Sequence, residues 1–179
     1  MSRSPSRRTS PRKPAWLKRR LPSGPIYGNI CQTLDAQGLH TVCQEAKCPN
    51  QWECFSSKTA TFLILGSRCT RSCGFCAVAH GPTGPPDREE PQRVARMARG
   101  MALAYVVVTS VTRDDLPDGG AELFAATIRA LRAKIPGVRV EVLIPDFQGQ
   151  RAAIETVVAA GPDVLNHNLE TIPALYAKV

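Results

Sequence analysis

At 179 residues, 43% of them hydrophobic, the chain is long enough to bury one sizeable core. The formal charge of +8 is unevenly spread: eight of the 23 Lys and Arg residues, and no Asp or Glu, fall in residues 1–30, which leaves the rest balanced. A neutral body with no basic stripe between aromatics excludes nucleic acid as the main partner, and no run approaches the ~20 apolar residues of a membrane span.

Residues 1–25 read as a disordered basic Ser/Arg/Pro tail with a small amphipathic knot at Ala15-Trp16-Leu17-Lys18. No apolar run follows its charges, so it is not a secretory signal. Its prolines, Pro5, Pro11, Pro14, Pro22 and Pro25, oppose the amphipathic helix of an organelle transit peptide. Seven cysteines without a secretory context point to metal ligation in a reducing compartment, and the cytoplasm is expected. Residues 26–58 read as a short, polar, irregular extension, with a helix or turn over 35–48 broken at Pro49-Asn50. A bound metal would supply the core that such an aliphatic-poor segment lacks.

From Thr59 the pattern changes, and 59–179 reads as the main body. Residues 59–65 form a nearly continuous apolar run of the buried, parallel-sheet kind, ending at Gly66. A Gly/Pro linker over 81–86 leads to a helix over 88–100 whose acidic start, Asp87, Glu89 and Glu90, suits the positive helix end. Its stripe Val94/Met97/Ala98/Met101 is core at helical spacing. Strands are predicted over 104–109, 139–144 and 163–166, helices over 121–134 and 148–160, and another helix from Thr171 to the end, with Pro173 in its first turn. The βαβαβαβα rhythm predicts a barrel-type or doubly wound α/β fold, whose ligands bind at the carboxyl ends of the strands. Four strands do not close a barrel, and the chain stops inside a helical pattern, so a fragment of a longer protein is expected.

Six cysteines fall in two triplets, Cys43/Cys48/Cys54 and Cys69/Cys73/Cys76. The second follows a strand directly and brings three thiolates to one short loop without a fourth Cys. A structural zinc site wants four protein ligands. A [4Fe–4S] cube held by three thiolates keeps one iron open for a substrate or cofactor. Zinc, redox or buried thiols and an ordinary ferredoxin-like cluster are the competing readings. The first triplet is less specific: His40 could complete a zinc knuckle, and Cys31 could supply a fourth thiolate or be a lone buried thiol.

Two polar stretches follow strands. Residues 109–120, with Thr109, Ser110, Arg113, Asp114 and Asp115, could hold a charged small molecule, Asp on an ammonium and Arg113 on a carboxylate; capping by solvated acids is the competing reading. Residues 166–170, with Asn166, Asn168 and Glu170, could read ribose hydroxyls or an amino group. His167 there is either a general base or structural. The Gly81-x2-Gly84 stretch lacks the Lys and context of a phosphate loop.

Taken together, these residues resemble the lipoyl synthases, a family of radical S-adenosylmethionine (SAM) enzymes. Cys69-x3-Cys73-x-Phe75-Cys76 matches the superfamily's cluster loop, and Cys43-x4-Cys48-x5-Cys54 the family's auxiliary motif. The stretches at 13–18, 59–66, 78–81, 109–115 and 166–171 also resemble the family in order, covering roughly 11–179. The upstream triplet separates this pattern from biotin synthase and other sulfur-inserting relatives; a metal-stabilised binding or redox module is the alternative of another class.

The resemblance implies a partial (β/α) barrel with about four of six β/α units present and an irregular cluster-binding N-terminal extension. It implies two [4Fe–4S] clusters. Cys69, Cys73 and Cys76 would hold the catalytic one, whose open iron takes SAM; Phe75, Thr109, Ser110, Asp115, Asn168 and Glu170 would contact SAM. One electron from flavodoxin or ferredoxin would cleave SAM to a 5′-deoxyadenosyl radical, which abstracts hydrogen from C6 and C8 of an octanoyl group on a lipoyl-carrier domain. Such carriers are the E2 subunits of 2-oxoacid dehydrogenases and the glycine cleavage H protein. The cluster on Cys43, Cys48 and Cys54 would donate the sulfur. The family completes that site with a serine in a C-terminal Arg-Ser-Ser-Tyr stretch that this chain lacks, so the 179 residues alone are expected to be inactive.

Overall fold

A computed structural model describes Pro14 and residues 25–56 and 60–177. The expected tail and its Trp16 knot lie outside the described residues, apart from Pro14 and Pro25.

The segment expected to be irregular is mostly helical. Helix α1 (Pro25–Ala36) opens on a proline and buries Ile30 and Leu34, four residues apart, in the main core. It ends on Gly38 at φ +59, with the Leu39 amide returning to the Leu34 carbonyl, a left-handed glycine stop. Strand β1 (His40–Thr41) follows, then the single turn α2 (Val42–Glu45), where Thr41 Oγ1 caps the Gln44 amide at 3.2 Å. A second short helix, α3 (Gln51–Ser56), carries Cys54. Ile30, Leu34, Leu39 and Cys43 join the protein's main core, so the segment packs on apolar side chains of its own.

The four expected strands are present. They are β2 (Thr61–Ile64), β5 (Tyr105–Ser110), β6 (Arg139–Leu143) and β7 (Val164–Asn166), all parallel and paired in chain order, with β1 antiparallel on the outer edge of β2. Two short strands, β3 (Arg68–Cys69) and β4 (Ala79–His80), pair in parallel at the base of the cysteine loop.

Helices α4 (Glu90–Gly100), α5 (Ala121–Lys134) and α6 (Arg151–Ala159) connect the strands, and α5 packs on both α4 and α6. Chain-order strands with their helices in one layer are consistent with a barrel-type sheet; a doubly wound sheet would reverse its order at a switch point. Residues 147–149 form a 3-10 turn ahead of α6, because Phe147 and Gln148 take positive φ angles and Asp146 caps the Gln148 amide. After β7 the expected helix is, within the described residues, a 3-10 turn, Pro173–Leu175.

Strand alternation divides the sheet's faces. Val106, Val108, Val140 and Val142 are fully buried in the core with Phe124, Ile128 and Leu131 of α5, and the Val94/Met97/Ala98/Met101 stripe joins them as expected. The other face mixes Leu63, Val107 and Leu143 with polar groups: Tyr105 donates to Glu141 Oε2, and Asn166 Nδ2 donates to Glu141 Oε1 at 2.6 Å.

Candidate functional site

Strand β2 leaves the sheet through an elbow at Leu65 and Gly66, both at positive φ (69° and 90°). Two buried charged side chains hold it. Glu90, 4% exposed at the start of α4, accepts the Leu65 amide at 2.8 Å, and burial pushes its carboxyl above the usual range. Arg113, 2% exposed, donates to the Leu65 carbonyl and to the Gly84 carbonyl.

The elbow delivers the chain into the loop carrying Cys69, Cys73 and Cys76. Its base is closed by β3 and β4 and by a Gly81 amide bond to the Cys69 carbonyl. The Thr70 amide and hydroxyl both donate to the Thr112 carbonyl, and the Thr70 hydroxyl accepts the Asp114 amide at 3.1 Å. Arg71 forks onto two carboxylates, Asp114 after β5 and Asp146 after β6, at 2.7–2.9 Å. Beyond these anchors Cys73 and Cys76 are exposed, while Cys69 is half-buried with its sulfur accepting the Arg71 amide at 3.4 Å.

A cavity of about 450 Å³ lies at the carboxyl ends of β5, β6 and β7, within the size range of small-molecule sites. Cys73 and Phe75 line it from the loop, Thr109 and Ser110 from β5, Asn168 and Glu170 from the segment after β7. Five of the six residues expected to contact a cofactor therefore share one cavity. Thr109 Oγ1 is engaged with the Leu143 carbonyl at 2.8 Å, whereas Ser110 Oγ is buried without a partner. Phe75, 56% exposed, presents an uncovered ring.

Asp115 is placed differently. It is forked by Arg113, accepts the Thr83 hydroxyl at 2.9 Å, and has its carboxyl drawn down to about 2, chiefly by Arg113. Arg113 and Asp115 thus satisfy each other beside the elbow, outside that cavity lining, rather than taking a ligand's carboxylate and ammonium. His167 lines the cavity with its Nδ1 bonded to the Ile144 carbonyl at 2.9 Å. A carbonyl only accepts, so Nδ1 carries the proton and the ring is oriented by the strand end.

The upstream triplet is carried by α2, the stretch after it and α3. Cys43 is buried on α2, the Cys48 amide bonds the Cys43 carbonyl, and the Cys54 amide bonds the Asn50 carbonyl. Burial pushes the Cys43 thiol up, a backbone bond at Thr61 opposes this, and Cys54 and Cys48 nearby add a smaller upward push. Cys31 is half-buried against the core, and His40 is paired with Glu45 at 2.9 Å. Among the described residues no three His, Cys, Asp or Glu side chains gather tightly enough around one metal ion. The corners of an iron–sulfur cube are spread wider than the donors of a single ion, so that spacing does not conflict with a cluster.

Sequence pattern alone does not mark Arg71 or Glu90 as site residues. Arg71 looks like any surface cation, and its partners lie 43 and 75 residues away. Glu90 looks like a helix-start acid.

Residues 63–179 match the model of the radical SAM superfamily, and residues 2–48 match that of the N-terminal domain of lipoyl synthase of the radical SAM family. The lipoyl synthase of Rubrobacter xylanophilus is 58% identical over 167 residues, covering 93% of this chain and 52% of the relative. Those of Oleidesulfovibrio alaskensis and Chloroflexus aurantiacus are 59% and 52% identical over 168 residues, each covering 94% of this chain and 58% and 55% of the relative. The chain spans a little over half the length of these relatives.

Proposed function

The chain belongs to the radical SAM superfamily, and from that premise we propose that it forms the cluster-bearing part of a lipoyl synthase, which inserts two sulfur atoms at C6 and C8 of a protein-bound octanoyl group. The observation that carries this is the shared cavity: Cys73 and Phe75 of the three-cysteine loop face Thr109, Ser110, Asn168 and Glu170 at the strand ends. The superfamily generally uses SAM and a [4Fe–4S] cluster. The cavity suits both, having the exposed Cys73 thiol on one wall and a buried, unpartnered Ser110 hydroxyl on another.

In this reading Cys69, Cys73 and Cys76 hold one cluster, and Cys43, Cys48 and Cys54 hold three corners of a second, closed by a ligand from elsewhere in the protein. When bound, the first cluster and SAM supply a carbon radical by one-electron cleavage, and the second supplies sulfur. The protein's own part is position. Ser110 offers a hydroxyl to the polar end of SAM, Asn168 and Glu170 offer groups for its hydroxyls or ammonium, and Phe75 covers an apolar face. Asp115 is omitted because Arg113 already engages it. The oriented His167 holds its proton toward the Ile144 carbonyl and acts as a wall of the cavity.

Residues 26–58 form the auxiliary segment and 59–179 the catalytic core, a barrel of which four of about six β/α units are present. A radical must form away from water and near its target carbon, and the cavity at the carboxyl ends of the strands is where this chain would meet those needs once it is filled. The partners are octanoylated lipoyl-carrier domains and a flavodoxin- or ferredoxin-type electron donor, and the compartment is the reducing cytoplasm. No described helix is long and apolar enough to cross a membrane. Anaerobic reconstitution of the full-length protein tests the reading: about eight irons and eight sulfides per chain are expected from two cubes, and about four irons, or stoichiometric zinc, would refute it.

A further inference from the structure

The loop that presents Cys69, Cys73 and Cys76 has to carry its ligands at a fixed height above the strand ends, yet two of the three are exposed. Its grip on the body is concentrated at Thr70 and Arg71. Arg71 Nε and Nη2 bond Asp114 at 2.7 and 2.9 Å, and its Nη1 and Nη2 bond Asp146 at 2.8 Å each. Both carboxylates are taken in two-pronged fashion, from loops after two different strands.

We propose that Arg71 is a positioning residue: by gripping Asp114 and Asp146 together it sets where the Cys69–Cys76 loop, and the cluster it holds, stands over the ends of β5 and β6. The proposal rests on the cluster assignment given above for what is positioned, but not for the grip itself.

A single exposed ion pair would fix little, since solvent screening leaves most such pairs near zero. Three features set this one apart. Its geometry is bidentate on both sides, which only a planar guanidinium can achieve. The backbone amide of the partially buried Asp114 also donates to the Thr70 hydroxyl, so residues 70 and 71 lock onto the same turn. Finally, Arg71 and Asp146 line the cavity beside Cys73, so the grip is part of the wall against which a cofactor would rest.

Lysine in place of Arg71 keeps the charge but cannot fork twice. The test uses full-length protein as wild type, Arg71→Lys, Asp114→Asn and Asp146→Asn. In the metal-free state, hydrogen exchange at the amides of residues 70–76 is expected to quicken about tenfold in Arg71→Lys and less in each Asn variant. After reconstitution, Arg71→Lys is expected to keep its iron content and kcat for SAM cleavage within a small factor. Its KM for SAM should rise about tenfold, the change that SAM causes in the reduced cluster's EPR spectrum should weaken, and more 5′-deoxyadenosine should form per product. Wild-type exchange, EPR response and KM in Arg71→Lys would overturn the proposal, because charge alone would then suffice. Loss of irons in every variant would also overturn it, making Arg71 an assembly residue. A wild-type protein that loads no cluster on this loop would instead defeat the functional reading, and the exchange data would still decide the grip.

Discussion

Gly120 stands directly against Leu65: a Cβ built on Gly120 would meet Leu65 Cδ1 at 2.2 Å. Both residues have positive φ, +91° and 69°. The elbow that leads β2 into the cysteine loop is therefore shaped by the start of α5, and the Gly-Gly pair ahead of that helix has a packing role as well as a turning one.

Gly120→Ala combines a left-handed backbone with overlap in a closed core, and should cost about 3 kcal/mol of stability. A denaturant midpoint on the full-length protein reads this. An unchanged midpoint would mean that Leu65 turns aside and that the elbow is softer than its contacts indicate.

Glu90 gives a pH dependence. Burial raises its carboxyl above the ordinary value, against the opposing bond from the Leu65 amide. The folded protein then holds that proton more tightly than the unfolded chain does. This group's contribution is full below the unfolded pKa of about 4.3 and declines as pH rises through the raised folded value. Glu90→Gln keeps an acceptor for Leu65 and removes the titration. Its thermal midpoint should change less than the wild type's between pH 5 and pH 8, and should match or exceed it at pH 8. Parallel pH profiles would show that Glu90 titrates alike in both states.

The two cysteine triplets should separate by function. Cys69→Ala should halve the iron content and abolish SAM cleavage. Cys48→Ala should cleave SAM to 5′-deoxyadenosine without forming lipoyl product. Normal sulfur insertion by Cys48→Ala would remove that residue from a donor cluster and leave it a structural thiol.

The parallel sheet was legible because β5 is a run of β-branched residues too apolar for a surface, β6 sets Val140 and Val142 in alternation, and α5 is bounded by Gly119-Gly120 and Gly137. Helix α1 was not, because among its described side chains only Ile30 and Leu34 are buried and Pro25 and Gly28 suggest a loop. Thr41-x-x-Gln44 did carry a start signal for α2, a capping-box pattern, in a stretch read only as a short helix or turn. The cysteine motifs and most of the cavity residues could be placed by their positions after strands. Asp115 could not, since its neighbour Arg113 turns inward to the elbow and takes it along. Contacts such as Arg71 with Asp146 depend on loops meeting across the sheet, which local pattern does not reveal.

The most direct measurement is an anaerobic turnover of full-length, reconstituted protein with SAM, reductant and an octanoylated lipoyl-carrier domain, followed by the intact mass of the carrier. The account predicts two sulfur atoms gained on the octanoyl group, with 5′-deoxyadenosine released alongside and the inserted sulfur drawn from the protein's own labelled sulfide. A carrier that stays octanoylated while SAM is cleaved, or that takes its sulfur only from solution, would contradict it.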